Sequence, residues 1–261
     1  MPYQTLQVSV NGALATITLD RPDVRNAFNE TMIADLTQAF DSLGSNDAVR
    51  AIVLEANGPA FCAGADLNWM KKMARHTHAE NLADAQQLAV MLRTIYACLK
   101  PVVAKVQGDC YAGGMGLVAA CDIVVAAEEV HFCLSEVTLG LIPATISPYV
   151  IKAIGEQAAR RYFLTAERFD AREARRIGLA HEVVAASEID GKVGAITKAL
   201  VANSPHAVRQ AKILVRDVAG RPVTDALVQD TAERTAQIRA SGEGREGVLS
   251  FLEKRKPGWL D

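Results

Sequence analysis

The chain has 261 residues, half of them apolar and 22% charged, a composition that suits a globular chain with a sizeable core. Twenty-eight Lys and Arg against 30 Asp and Glu give a net charge of −2, which excludes broad binding to a nucleic-acid backbone. No apolar run reaches the ~18 residues of a membrane helix, and the longest, 117–127, contains Asp122.

The chain opens with an expected hairpin. Leu6, Val8 and Val10 alternate with polar residues, Asn11-Gly12 supplies the turn, and Leu14, Thr16 and Leu19 carry the return strand. Arg21-Pro22-Asp23 breaks it. Met32, Leu36 and Phe40 at helical spacing predict a helix over 29–43. A buried strand follows at 51–54, then a loop marked by Asn57-Gly58-Pro59 and Gly64. An amphipathic helix is expected over 82–98, a second buried strand over 102–106, a glycine-crowded turn and short helix to Ala120, and a third strand over 122–126. Short apolar strands alternating with helices predict an α/β fold with the strands buried. After His181-Glu182-Val183-Val184 no strand signal remains, and 189–201, 206–218, 222–239 and 242–255 all read as helices. The expected division is a β/α core at 1–200 and a C-terminal helical region at 201–261.

Several chemistries lack their residues. There is no phosphate-binding loop of the Gly-x-x-x-x-Gly-Lys type, no Gly-x-Gly-x-x-Gly fingerprint and no Gly-x-Ser-x-Gly elbow. Cys62, Cys98, Cys110, Cys121 and Cys133 form no Cys-x-x-Cys pair and read as buried thiols of a reduced compartment. His76 and His78 lie in a charged stretch without a third ligand nearby, so no metal is expected. The first residues have neither the charged nor the apolar stretch of a signal peptide, and the expected location is cytoplasmic.

Three stretches can carry chemistry. Phe61-Cys62-Ala63-Gly64-Ala65-Asp66-Leu67 follows a buried strand, and its small residues let a ligand approach the backbone. In 108–121, Gly113 and Gly114 precede a helix whose first N–H groups favour negative charge. Taken singly, each reads as a tight strand-to-helix connection. Facing one another, they make a two-donor oxyanion hole. The third stretch sets Glu136 in the mostly apolar run 134–143, where burial raises a carboxyl into the range useful for proton transfer. By itself it also reads as a glutamate capping a turn or pairing with an arginine.

In this order and at these separations, the stretches resemble the crotonase superfamily of enoyl-CoA hydratases and isomerases. The resemblance begins at Leu19-Asp20-Arg21-Pro22, continues through Asn26-Ala27, the two glycine loops and 136–143, and ends in Phe251-Leu252-Glu253-Lys254-Arg255-Lys256. It implies a spiral of β-β-α turns with a C-terminal helical region, assembled as a homotrimer or homohexamer. It implies an acyl-CoA thioester as substrate, with coenzyme A as part of that substrate and no separate cofactor. The thioester oxygen falls to the N–H groups of Ala65 and Gly113, and acid/base work to Glu136. Coenzyme A contacts fall at Arg25, Ala27, Ala63, Asp66, Leu67 and Lys254, while Trp69, Met70 and Tyr149 are candidates for the acyl pocket or for plain packing.

Hydratases of this family commonly carry a second glutamate three residues past the oxyanion glycine. Here that position is Gly116. The expectation is that the glycine makes room for a bulky acyl chain and removes a charge that would repel a carboxylated one. The stretches 66–73, 116–122 and 142–150 resemble bacterial hydratases of branched glutaconyl-CoA thioesters, namely the 3-methylglutaconyl-CoA hydratase of leucine breakdown and the isohexenylglutaconyl-CoA hydratase of acyclic terpene breakdown. The expected activity is therefore hydration of a branched, carboxylated enoyl-CoA. The alternatives are a Δ3-Δ2 isomerase that uses Glu136 alone, and a protein that binds CoA esters or RNA without turnover.

Overall fold

The computed structural model describes residues 3–260; Met1 and Pro2, on which part of the reading of the chain start falls, lie outside them. The chain divides into two compact units, one up to Thr197 and one from Lys198 on.

The first unit opens on the expected hairpin, β1 (Leu6–Asn11) and β2 (Leu14–Leu19). Asn11 is its last paired residue, opposite Leu14, so the loop is Gly12-Ala13, with Gly12 at φ +58°. Two-residue hairpin loops need positive φ, which shifts the turn one residue along from Asn11-Gly12. Helix α1 (Glu30–Ser45) is capped by Asn29, whose side chain accepts from the Met32 N–H. Met32, Leu36 and Phe40 are fully buried along its inner face.

Next come β3 (Ala51–Ala56), β4 (Ala60–Cys62), α2 (Leu67–Met73) and α3 (His78–Ala97). Helix α3 starts four residues before the expected 82, because Thr77 and Glu80 form a reciprocal capping box ahead of its first inward-facing residues. The chain continues through β5 (Val102–Val106), β6 (Asp109–Tyr111), α4 (Gly113–Ala120), β7 (Ile123–Ala127) and β8 (His131–Cys133). Helix α5 (Ser147–Thr165), β9 (Phe169–Asp170), α6 (Ala171–Arg176), β10 (Glu182–Val184) and α7 (Ile189–Ala202) follow.

Two sheets organise this unit. The larger has the order β1-β2-β3-β5-β7-β10, and the smaller β4-β6-β8-β9. Past the first hairpin every pairing in the large sheet is parallel, as are β4 with β6 and β6 with β8. Each turn of chain lays one strand on the large sheet, the next on the small sheet, and then a helix. Repeated three times, this gives the spiral of β-β-α turns. Ile52, Leu54, Val102, Val103 and Ala104 are wholly buried, as expected for parallel strands covered on both faces.

The second unit contains α8 (Pro205–Val218), α9 (Asp225–Ala240) and α10 (Gly242–Leu252). Helix α9 starts three residues past the expected 222, where the Thr224 side chain caps it. Helix α10 stops short of 255, and Lys254 just beyond it takes a left-handed φ of +56°. Among the described residues, no helix is long and apolar enough to cross a membrane.

Candidate active site

The small sheet gathers the three chemical stretches. Strands β4, β6 and β8 lie side by side and parallel, with Cys62 opposite Cys110 and Tyr111 opposite Cys133. Their C-terminal ends therefore sit at one edge, where open parallel sheets bind ligands. The chain reaches Ala65 three residues past the end of β4, Gly113 two past β6, and Glu136 three past β8.

The first two ends touch. A Cβ on Gly64 would lie 3.0 Å from the Ala112 Cβ, and Gly64 sits at φ +92°, so glycine is needed there on both counts. Ala65 and Gly113 are the next residue along on each side of this contact. Neither N–H donates to another described residue, and both residues are half-buried. Gly113 opens α4, so its N–H is one of the helix's unsatisfied donors. Ala112 before it is held at φ +47°, ψ −121°, a strained conformation for a residue with a Cβ.

The loop after β4 is braced by the segment 21–28. The Ala63 N–H donates to the Arg25 carbonyl (3.0 Å), and the Asp66 N–H to that of Phe28 (2.8 Å). The Arg21 guanidinium donates to Asp66 at 2.8 Å, with only 8% of the Asp66 side chain exposed. Burial acts to raise the Asp66 carboxyl pKa. The Arg21 hydrogen bond and the N–H groups of Asn68 and Trp69 outweigh it and hold Asp66 below the usual carboxylate range. Asn26 is fully buried. Its amide donates to the carbonyls of Asn57 (2.8 Å) and Ala60 (2.9 Å), and its oxygen accepts the Arg21 N–H (2.8 Å). Those bonds sustain left-handed backbone at Arg25 and Asn26, φ +52° and +53°. The sequence alone assigns Arg21 and Asn26 no role. Their signal was a buried-type turn rich in hydrogen-bonding side chains beside Pro22.

Glu136 stands in contrast. It opens a single 3-10 turn (Glu136–Leu139) closed by Gly140. Its Oε2 is buried and has no hydrogen-bond partner, and burial raises its carboxyl above the ordinary value. Among the described residues no arginine pairs with it, so the ion-pair reading falls away, while its carboxyl accepts from its own backbone N–H at the start of the turn. Cys62 offers no competing nucleophile, since burial pushes its thiol up to about 12. Among the described residues, no group of three metal-ligating side chains exists.

Gly116 does not create the expected room. A Cβ there would lie 2.3 Å from Cγ2 and 2.9 Å from Cβ of Ile146, and 3.5 Å from Leu92. Ile146 is 2% exposed. The space that a side chain at 116 would take is filled by Ile146, so the departure removes a carboxylate and leaves an apolar wall. A residue 30 positions away carries no local sequence signal of this.

The other expected positions divide. Ala27 is buried, and its carbonyl accepts from Arg21. The Ala63 and Asp66 N–H groups are engaged by carbonyls of 25 and 28, and the Asp66 carbonyl accepts from the Met70 N–H in the first turn of α2. Arg25 is exposed, with its guanidinium paired to no described residue. Leu67 is 73% exposed. Trp69 is core, with its indole N–H donating to Asp84 at 3.0 Å. Met70 is half-buried on α2. Tyr149 packs edge-on to Tyr96 with ring centroids 5.4 Å apart. Lys254 belongs to the second unit and is exposed there.

The arrangement offers two backbone donors and one carboxyl of raised pKa at the same sheet edge. Donors aimed at a carbonyl oxygen, with a carboxyl able to move protons, suit chemistry through a thioester enolate. Comparison with known proteins gives the family. A family model described as Enoyl-CoA hydratase/isomerase matches residues 9–261. The crystal structure of an enoyl-CoA hydratase from Shewanella pealeana is similar with a TM-score of 0.96 and 42% identity, over 98% of this chain and 96% of that one. AtuE of Pseudomonas aeruginosa is similar with a TM-score of 0.92 and 34% identity, over 99% of this chain and 100% of that one. A protein of Alternaria alternata named enoyl-CoA hydratase AKT6-1 is 32% identical over 263 residues, covering 97% of this chain and 82% of its own.

Proposed function

The chain belongs to the enoyl-CoA hydratase/isomerase family, and on that premise we propose that it adds water across the α,β-double bond of a branched, carboxylated acyl-CoA, of which 3-methylglutaconyl-CoA is the representative. The observation that carries the reading is Glu136, a carboxyl with a buried, unpartnered oxygen at the same sheet edge as two free N–H donors.

Glu136 acts twice. Its carboxylate takes a proton from the water that attacks the β-carbon. The double-bond electrons move through the α-carbon onto the thioester oxygen, and Ala65 and Gly113 hold the resulting enolate. Glu136 then returns the proton to the α-carbon, the enolate collapses to the thioester, and one water has been added. Each N–H donor in such a hole lowers the barrier by roughly 2.7–4 kcal/mol. The acyl carboxylate is supported by Gly116, where a second glutamate would repel it, and by the resemblance of 66–73, 116–122 and 142–150. Arg25 and Lys254 are assigned to coenzyme A phosphates, and Ala27, Ala63, Asp66 and Leu67 to its adenine and pantetheine. A homotrimer or homohexamer in the cytoplasm belongs to the same reading.

The test is turnover of 3-methylglutaconyl-CoA, crotonyl-CoA and a 3-enoyl-CoA, followed by mass spectrometry. The expected result is a gain of one water, fastest on the branched carboxylated thioester. Reaction of the 3-enoyl-CoA alone, without a change in mass, contradicts hydration.

A further inference from the structure

We propose that Phe28 is the positioning residue that holds both oxyanion donors in register. The inference rests on the reading of Ala65 and Gly113 as those donors, and it adds a residue to which the sequence assigned nothing.

Phe28 is the residue that meets both loops. Its backbone pairs with Ala65 as an isolated parallel bridge. Its N–H donates to the Gly64 carbonyl at 2.7 Å, and its carbonyl accepts from the Asp66 N–H at 2.8 Å. In a parallel bridge the flanking residues spend their bonds on the partner, and the central residue turns its own N–H to the opposite side. Phe28 therefore fixes the direction in which the Ala65 N–H points. Its ring reaches the second donor. A Cβ on Gly113 would lie 3.1 Å from Cε2 and 3.2 Å from Cδ2 of Phe28, so the ring edge is seated against the Gly113 α-carbon. The ring is 1% exposed, so it has little freedom to move away.

Phe28 is itself held at both ends. Asn26, two residues before it, is anchored by its three side-chain bonds, and Asn29, one residue after, caps α1. A displacement of the ring would be felt by Gly113 through packing, and a displacement of the backbone by Ala65 through two hydrogen bonds. The ring takes no proton and meets no reacting atom in this scheme. Its work is to keep two N–H vectors converging on one oxygen.

The experiment uses the full-length protein and dimethylaminocinnamoyl-CoA, a thioester whose absorption moves to longer wavelength when its carbonyl is polarised. Wild type, Phe28→Ala and Phe28→Leu are compared for that shift and for kcat and KM on the preferred enoyl thioester. Loss of donor alignment costs about 10²-fold in kcat, the scale of a lost oxyanion donor. Phe28→Ala should show that fall, with KM within about threefold of wild type and the red shift lost; Phe28→Leu should recover most of both. A folded Phe28→Ala protein with wild-type shift and kcat overturns the inference. Where Phe28→Ala does not fold, Gly113→Ala replaces it. Its new Cβ meets the ring, and Phe28→Leu in the same chain should restore part of the shift, whereas strictly additive losses overturn the inference. A wild-type protein that produces no red shift contradicts the donors themselves and takes the inference with them. A wild-type shift left unchanged by the Phe28 variants defeats the inference alone.

Discussion

The loop after β4 and the turn at Glu136 leave the same sheet edge and are built in opposite ways. Around Ala63–Asp66 nearly every polar neighbour is engaged: Arg21 with Asp66, Asn26 with Asn57 and Ala60, and the Ala63 and Asp66 N–H groups with carbonyls of 25 and 28. What stays open is the Ala65 N–H. At Glu136 the carboxyl accepts from its own N–H, and its other, buried oxygen, Oε2, is left without a partner. A donor needs a fixed direction, which saturation of its neighbours supplies. An acid/base group needs a pKa moved toward neutrality, which isolation supplies.

The largest expected effect comes from removing the isolated group. Glu136→Gln should lower kcat by about 10³-fold, within the usual range for general acid/base catalysis. Its stability should change in the other direction. Because burial raises the folded-state pKa, the favourable contribution of this carboxyl is fully present below the ordinary carboxylate range and is lost as pH rises through the raised value. Near pH 7 the ionised group is a liability, so the glutamine variant should melt at a higher temperature than wild type and the difference should vanish in acid. Equal melting at pH 7 would break the contrast between the two regions. The pH profile of kcat/KM should carry an acid limb above the usual glutamate pKa, absent from the variant's residual activity.

Saturation is tested next. Arg21→Met leaves the Asp66 carboxylate buried without its partner, and breaking such a pair costs about 3 kcal/mol. Urea titration should show that loss at neutral pH. Asp66 is held low, so its stabilisation exists above the ordinary carboxylate range and fades as pH falls through the depressed value. The loss on substitution should therefore shrink in acid.

A smaller effect probes the apolar wall. Gly116→Ala places a Cβ 2.3 Å from the Ile146 Cγ2, an overpacking worth about 2 kcal/mol. Adding Ile146→Ala should recover more than half of it in thermal melts, and additive losses would mean the two positions are not packed together. The smallest change in stability is Asn29→Ala, which removes the α1 cap and should cost about 1 kcal/mol in urea titration.

These residues also mark what the sequence discloses. Strands β3, β5 and β7 were legible as apolar runs, and Glu136 stood out as a carboxylate among apolar neighbours. Strands β4, β6 and β8 were not legible, because three residues are too few to show alternation. Yet they bring the three chemical stretches to one edge. Helix α5 was missed behind a proline-bearing loop. The sequence assigns no role of their own to Ile146 and Phe28, since their importance depends on neighbours distant in the chain. Gly116 was legible as a missing carboxylate but misleading as a source of space, because a glycine states what is absent and not what has moved in.

The most direct measurement is a single turnover of the preferred enoyl-CoA in deuterated, ¹⁸O-labelled water, read by mass spectrometry for wild type and Glu136→Gln. The account predicts one ¹⁸O at the β-carbon and one deuterium at the α-carbon in the wild-type product, and neither label within the same time in the variant. Both labels appearing at the wild-type rate in the Glu136→Gln protein would contradict a site that depends on this single isolated carboxyl.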